Sequence, residues 1–166
     1  KHFTEKNRKL DIEFIKLNRF YKKPDEFTNQ EIKIFIKKNS EKLKQDFIDF
    51  SYVIITPKNL LGVDEFNQAF FDAIDEIENK ISKNIDFKTI TNELDVNIIT
   101  KTDYINLENK ETIENKIYNS RKDEIEILED DGVFIFYQID NINQKLPNFI
   151  DERFVKKITN LLFQKE

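Results

Sequence analysis

Two stretches far apart in the chain carry the densest apolar pattern, one from Phe47 to Thr56 and the other from Val133 to Ile142. Successive side chains of a strand point to opposite faces of its sheet. In both stretches apolar residues occupy odd and even positions alike, which is typical of a strand covered on both faces. We therefore expect the two strands to be direct neighbours in the middle of one sheet.

Apolar residues at helical spacing predict helices elsewhere. Thr28 and Glu31 form a capping box, which predicts a helix that begins there and runs to about Lys44. We expect Asp64 to cap the next helix and Asn148 to cap the last one. Their apolar stripes step by three or four residues: Phe66, Phe70, Ile74, Ile77 and Ile81 in one, and Ile150, Phe154, Ile158, Leu161 and Leu162 in the other. The first stripe is predicted to be core.

Shorter elements fill the intervals. Short helices are expected after Asp86 and over residues 112–121, and strands over residues 10–17, 96–100 and 124–129. The dipeptide Asp131-Gly132 favours a type I′ turn, which would join the last two strands as a hairpin. This mixture predicts an α+β fold. We divide the chain into a flanking strand and helix (1–46), the sheet domain (47–147) and a C-terminal docking helix (148–166).

Composition excludes several kinds of site. The chain of 166 residues has a formal net charge of −5, no cysteine, one histidine (His2) and two glycines (Gly62 and Gly132). Interspersed charges disfavour nucleic-acid binding, and so few glycines exclude glycine-rich phosphate loops. We expect no cofactor and no metal. No apolar run is long enough to span a bilayer, and a chain that begins with Lys suggests a fragment of a longer protein.

Two segments of the chain resemble sequence motifs of a known protein family. Ser51-Tyr52-Val53-Ile54 and Gly132-Val133-Phe134-Ile135-Phe136 are similar to Ser-His-Ile-Leu and Gly-Tyr-His-Ile-Ile of the parvulin-type peptidyl-prolyl isomerase domain. Residues 79–90 resemble that family's long helix, turn and second helix. The flanking segments resemble those of membrane-anchored bacterial foldases of the PpiD and SurA type, in which a helical chaperone module surrounds the parvulin domain. The resemblance implies a parvulin-like, four-stranded antiparallel sheet with crossover helices. It also implies a folding chaperone (rotamase) on the periplasmic side of the bacterial inner membrane.

The same positions depart from an active enzyme. Tyr52 and Phe134 stand where the family has its two catalytic histidines, and the chain has neither the cysteine nor the methionine of that pocket. Prolyl isomerisation must cross a barrier of about 18–20 kcal/mol. We therefore expect no catalytic residue and little or no isomerase activity.

The resemblance implies a substrate-binding surface made of Tyr52, Ile54, Phe134 and Phe136, with Tyr52 and Phe134 on the same face of the sheet. The alternative for Tyr52 is a core tyrosine whose hydroxyl reaches one partner or solvent, and the alternative for Phe134 is a core residue. The acidic run over residues 124–131 could bind calcium, but it lacks the spacing of an EF-hand, and an exposed strand face with an acidic turn explains it better.

The resemblance and the missing catalytic residues together favour one function and leave two alternatives. We expect a non-catalytic, parvulin-like module of a cell-envelope folding chaperone that binds unfolded or partly folded polypeptides. The C-terminal stripe needs a partner, either a missing N-terminal segment of the same protein or a second copy that contacts Phe154 and Leu161. The alternatives are a weakly active peptidyl-prolyl cis-trans isomerase and an unrelated α+β interaction domain. The latter would be favoured by any order other than strand, helices, strand, helix and hairpin.

Overall fold

The computed structural model describes residues 13–14, 22–94, 96–106, 110–121, 125–130 and 132–165. The chain divides into two compact units. One comprises Glu41–Asn148, and the other comprises residues 1–40 together with 149–166. The strand expected over residues 10–17 lies largely outside the described residues.

The larger unit is built on a four-stranded antiparallel sheet of β1 (Gln45–Ile55), β2 (Ile99–Tyr104), β3 (Ile125–Asp130) and β4 (Val133–Lys145). The order across the sheet is β2-β1-β4-β3. β1 and β4 are therefore adjacent central strands, as predicted from their apolar residues. β3 and β4 form the expected hairpin, whose turn contains Gly132 at a positive φ of 77°. The predicted α+β class with a four-stranded antiparallel sheet is confirmed.

Three helices connect β1 to β2, namely α3 (Pro57–Leu61), α4 (Gln68–Ser82) and α5 (Phe87–Leu94). A fourth, α6 (Ile113–Ser120), connects β2 to β3. Side-chain caps explain several boundaries: Thr56, Asn67 and Thr112 accept hydrogen bonds from the first turns of α3, α4 and α6. Gly62 ends α3 in the left-handed conformation that glycine adopts without strain.

Two predicted boundaries in this unit are wrong. α4 begins at Gln68 rather than at Asp64, because Asn67 caps it. The separate helix α3 ends before it, at Leu61. Phe66 therefore lies in the loop before the helix and is 48% exposed, although its stripe was predicted to be core. The strand predicted from Val96 to Thr100 is β2, which begins at Ile99 and continues to Tyr104.

Each face of the sheet carries its own core. On the α4 face, the sheet residues Val53, Ile55, Phe134 and Phe136 pack with residues of α4 and α5: Phe70, Ile74, Ile77, Phe87 and Ile90. On the α6 face, the sheet residues Ile48, Phe50, Tyr52, Ile135, Tyr137 and Ile139 pack with Ile117 and Tyr118 of α6. Both central strands are buried on both sides, which explains their continuous apolar sequence.

The smaller unit is helical. A 3-10 turn (Pro24–Glu26) precedes α1 (Asn29–Lys38), and α7 (Glu152–Phe163) packs on both. The predicted capping box is confirmed, since Thr28 accepts from the Glu31 amide while Glu31 accepts from the Thr28 amide. The helix predicted to run to about Lys44 is shorter, because α1 ends at Lys38, and a separate four-residue helix, α2 (Ser40–Leu43), follows it.

The C-terminal helix α7 differs from its prediction in its N-cap and in the burial of its apolar residues. Its cap is Asp151 rather than Asn148, because the Asp151 carboxylate accepts from the Arg153 amide. Ile150 therefore precedes the helix and is 78% exposed. Phe154 and Ile158 of the same stripe are fully buried. Phe154 is therefore unavailable as a surface contact for a second copy.

Candidate functional site

The four predicted substrate-binding residues do not lie together. In the register of β1 and β4, Ile55 pairs with Phe134, Val53 with Phe136, and Tyr52 with Tyr137. Tyr52 is three positions from Ile55, so it points to the opposite face from Phe134. The prediction that Tyr52 and Phe134 share a face is wrong. Tyr52 and Ile54 belong to the α6 face, whereas Phe134 and Phe136 belong to the α4 face.

On the α6 face, Tyr52 is a packed residue with a specific partner. Its side chain is buried, and its hydroxyl donates to Glu114 Oε1 at 3.1 Å. Lys101 Nζ lies 3.3 Å from the same carboxylate oxygen. Burial raises the pKa of Tyr52 to about 12, and the Glu114 carboxylate adds to the rise. At neutral pH the phenol is therefore a protonated hydrogen-bond donor, which agrees with the alternative of a core tyrosine.

The electrostatics of Glu114 follow from the same contacts. Burial raises the pKa of its carboxyl group, but hydrogen bonds from its own amide, from Lys101 and from Tyr52 outweigh burial and leave that pKa below the usual range. Glu114 is thus a carboxylate at neutral pH. The three side chains are a donor, an acceptor and a cation that satisfy one another, and the Glu114 carboxyl group carries no proton to transfer.

The other tyrosines of this face also have bonded hydroxyls. Tyr137 donates to Glu126 at 2.6 Å and lies 3.1 Å from the Ser120 carbonyl, and Tyr104 donates to Asn115 at 2.5 Å. Tyr118 donates to the Asp46 carbonyl at 2.8 Å. Burial, followed by the Glu126 hydrogen bond, raises the pKa of Tyr137 above its ordinary value. This face is a closed polar and aromatic core.

On the α4 face, Phe136 is fully buried and its ring centroid lies 4.7 Å from that of Phe87, so it cannot contact a ligand. Phe134 is different, because it belongs to a cluster of four phenylalanines that reaches the surface. Its ring lies 5.5 Å from Phe70 and 6.5 Å from Phe71. Phe66 lies 5.2 Å from Phe70 and 6.2 Å from Phe71. We call these four residues the aromatic patch.

The aromatic patch has a buried floor and an exposed rim. Phe70 and Phe134 are buried, whereas Phe66 and Phe71 are 48% and 44% exposed. The Phe66 ring is held above the β3–β4 turn, since its Cζ atom would lie 3.7 Å from a Cβ atom placed on Gly132. Sequence reasoning missed Phe71, which lies one residue outside the predicted stripe. The adjacent pair Phe70-Phe71 was the available signal, because only one of two consecutive helical residues can face the core directly.

Two cavities lie away from the aromatic patch. Ile54, with Asn59, Val96, Asn97 and Ile99, lines a small cavity of about 240 Å³ in the larger unit. A groove of about 660 Å³ in the smaller unit lies between the 3-10 turn, α1 and α7, where Phe27, Ile32 and Val155 supply apolar surface.

Within the described ranges, no group of three or more histidine, cysteine, aspartate or glutamate residues could hold a metal ion. In the acidic run, Glu126 accepts from Tyr137, and Asp130 pairs with Lys116. Across the same described ranges, no helix combines the length and the apolar character that crossing a bilayer requires.

Comparison with known proteins gives no relative for this site: no family model, no curated protein and no solved structure matches the chain.

Proposed function

We propose that this chain is a non-catalytic, parvulin-like polypeptide-binding module of a cell-envelope folding chaperone. The supporting observation is the order of elements in the larger unit: β1, three helices, β2, one helix, and the β3–β4 hairpin. It is the order that the resemblance implies. A different order would have favoured an unrelated interaction domain. β1 and β4 also occupy the central positions expected of the two signature strands.

The absence of catalysis is supported by what occupies the two signature strands. Tyr52 donates to Glu114, and Phe134 packs among phenylalanines on the other face of the sheet. The one histidine of the chain, His2, is outside the described residues. A proline pocket must desolvate and twist the imide bond, and the described residues place no pair of hydrogen-bonded imidazoles beside such a pocket.

We propose that the module works on the periplasmic side of the bacterial inner membrane. We also propose that a further segment of the same protein, or a second copy, covers the apolar surface of the smaller unit. Leu161 and Leu162 of α7 are half-buried, and Phe149, Ile150 and Phe163 are exposed. Sedimentation over a concentration series tests the second copy. A dimer that Leu161→Asp weakens supports it, and a monomer at every concentration contradicts it.

Two assays on the whole chain test the central proposal. A permanently unfolded, reduced and carboxymethylated protein, labelled with a fluorophore, should bind the chain, and its folded parent should not. A protease-coupled assay with Xaa-Pro peptides should give no acceleration above the uncatalysed rate. Efficient isomerisation would favour the enzyme alternative. Failure to bind any unfolded protein would favour an unrelated interaction domain.

A further inference from the structure

We propose that the aromatic patch is the docking site of this module, and that it takes a polypeptide segment in which an aromatic or aliphatic side chain lies close to lysine or arginine. The inference rests on the proposed function for the source of such segments, namely unfolded polypeptides. It goes further in assigning the surface and the chemistry of the ligand.

The geometry of the patch suits an apolar anchor. Phe66 and Phe71 present roughly half of each side chain to solvent, and Phe70 and Phe134 form a buried floor beneath them. The four rings are arranged edge-to-face or stacked at centroid distances of 5.2–6.5 Å. Phenylalanine has few rotatable bonds, so little conformational entropy is lost when a ligand packs against rings that are already held in place.

The acidic residues around the patch favour a positively charged ligand. Residues 64–78 contain six acidic side chains and no lysine or arginine. Two of the six pair with lysines outside this range, Asp64 with Lys58 and Glu76 with Lys80. Glu65 is adjacent to Phe66, and Phe71, Asp75 and Glu78 follow one another on the same side of α4 at spacings of four and three. Asp75 and Glu78 are exposed. A cation beside the anchor would meet these carboxylates and the faces of the exposed rings together.

The same acidic flank argues against two other occupants. A second copy seated patch against patch would bring two sets of carboxylates together, and like charges across an interface are unfavourable. A bilayer surface rich in anionic lipid would repel the flank in the same way. A cationic, apolar polypeptide is the one macromolecular ligand of these three that satisfies both the rings and the carboxylates.

The test compares two fluorescent peptides of equal length and equal apolar content, one carrying lysine and arginine and the other glutamate and aspartate. Fluorescence anisotropy with the whole chain should show binding of the basic peptide at least about tenfold tighter than that of the acidic one. Raising the salt concentration from roughly 0.05 M to roughly 0.5 M should weaken binding of the basic peptide, because charges at the rim are screened. Equal affinity for both peptides would overturn the assignment of charge.

Two variants locate the site. Phe66→Ser with Phe71→Ser should weaken binding of the basic peptide about tenfold or more, as removal of central aromatic contacts does. The matched control is Phe14→Ser, which removes an exposed phenylalanine from the other compact unit and should change nothing. Unchanged affinity in the patch variant, or an equal loss in the control, would overturn the location.

A charge exchange keeps the test decisive if the aromatic variant folds poorly. Asp75→Lys with Glu78→Lys leaves the core of α4 intact. This double variant should bind the basic peptide more weakly and the acidic peptide more tightly than the wild type does. A purely structural role of these carboxylates would lower both affinities together, and that result would contradict the proposal. So would tighter binding of the wild-type chain to vesicles of anionic lipid than to the basic peptide, or dimerisation that the patch variant abolishes.

The failures of the two proposals are distinguishable. If the chain binds the unfolded protein and the patch variant binds it equally well, the module function stands and the patch is excluded. If the chain binds the basic peptide through the patch but no unfolded protein, the patch stands and the chaperone function is excluded.

Discussion

The two faces of the central sheet are closed in different ways. The α6 face uses tyrosines, whose rings pack in the core and whose hydroxyls reach Glu114, Glu126, Asn115 and a backbone carbonyl. The α4 face uses phenylalanine, isoleucine and valine, which have no polar atom to satisfy, and its aromatic cluster continues to the surface at Phe66 and Phe71. A face completed by hydrogen bonds has little left to offer a ligand. A face made only of apolar contacts can be extended by one more apolar side chain.

The largest expected effect is the loss of packing on the α4 face. Ile77 is buried between α4 and the sheet, so Ile77→Ala should lower the free energy of unfolding by about 2–5 kcal/mol, as other large-to-small core substitutions do. Urea unfolding measures it. Phe66→Ser is the control at the open end of the same face, and it should cost no more than about 1 kcal/mol because Phe66 is half-exposed. A loss below about 0.5 kcal/mol for Ile77→Ala would show that α4 is not docked on the sheet.

The next effect concerns the hydroxyls of the α6 face. Tyr137→Phe removes the donor to the Glu126 carboxylate and should cost about 1–3 kcal/mol, since hydrogen bonds to charged groups are the stronger ones. Tyr52→Phe should cost less, about 0.5–1.5 kcal/mol, because the hydrogen bond from Tyr52 to Glu114 is longer, at 3.1 Å against 2.6 Å. If both substitutions are silent in urea unfolding, the hydroxyls do not close this face.

The smallest effect is a pH dependence at the edge of the α6 face. A hydrogen bond from Arg121, followed by one from Gln144, holds the pKa of Asp46 below its usual value. The unfolded chain therefore takes up the proton first as the pH falls. The stabilisation is complete above the ordinary aspartate pKa of about 4 and is lost as the pH falls through the lower folded value.

Asp46→Asn removes this titrating group. The free energy of unfolding should then fall less steeply as the pH is lowered, and the change in slope should correspond to less than about one proton. Arg121→Ala should flatten it similarly, since it removes the main cause of the shift. Urea unfolding at a series of pH values between roughly 7 and roughly 3 measures the slope. An acid limb that is identical in the wild type and in both variants would contradict the assigned pair.

Local patterns predicted most of the elements. The Thr28–Glu31 capping box, the central strands and the turn at Gly132 depend on neighbours within a few residues, and each is found where it was expected. Helix starts were harder, because several capping residues compete. Asp64 and Asn67 can both cap a helix, and Pro57 with Thr56 starts another one between them and the preceding strand.

The arrangement of the site could not be predicted, because it depends on the register of two strands about eighty residues apart in sequence. A shift of one residue exchanges the faces of every side chain. Pairing of Tyr52 with Tyr137 puts Tyr52 and Phe134 on opposite faces, and a bulge beside Asp49 changes the register again further along β1. No local pattern encodes these pairings, so the resemblance made Phe134 a candidate but the sequence could not identify Phe66 and Phe71 as its neighbours.

The most direct test is an NMR titration of the isotope-labelled chain with the permanently unfolded protein. The account predicts shifts concentrated at Phe66, Phe71 and Phe134, with the tyrosine resonances of the α6 face, including Tyr52 and Tyr137, unchanged. Shifts concentrated at Tyr52 and α6, or no shift at concentrations where the unfolded protein is in large excess, would contradict it.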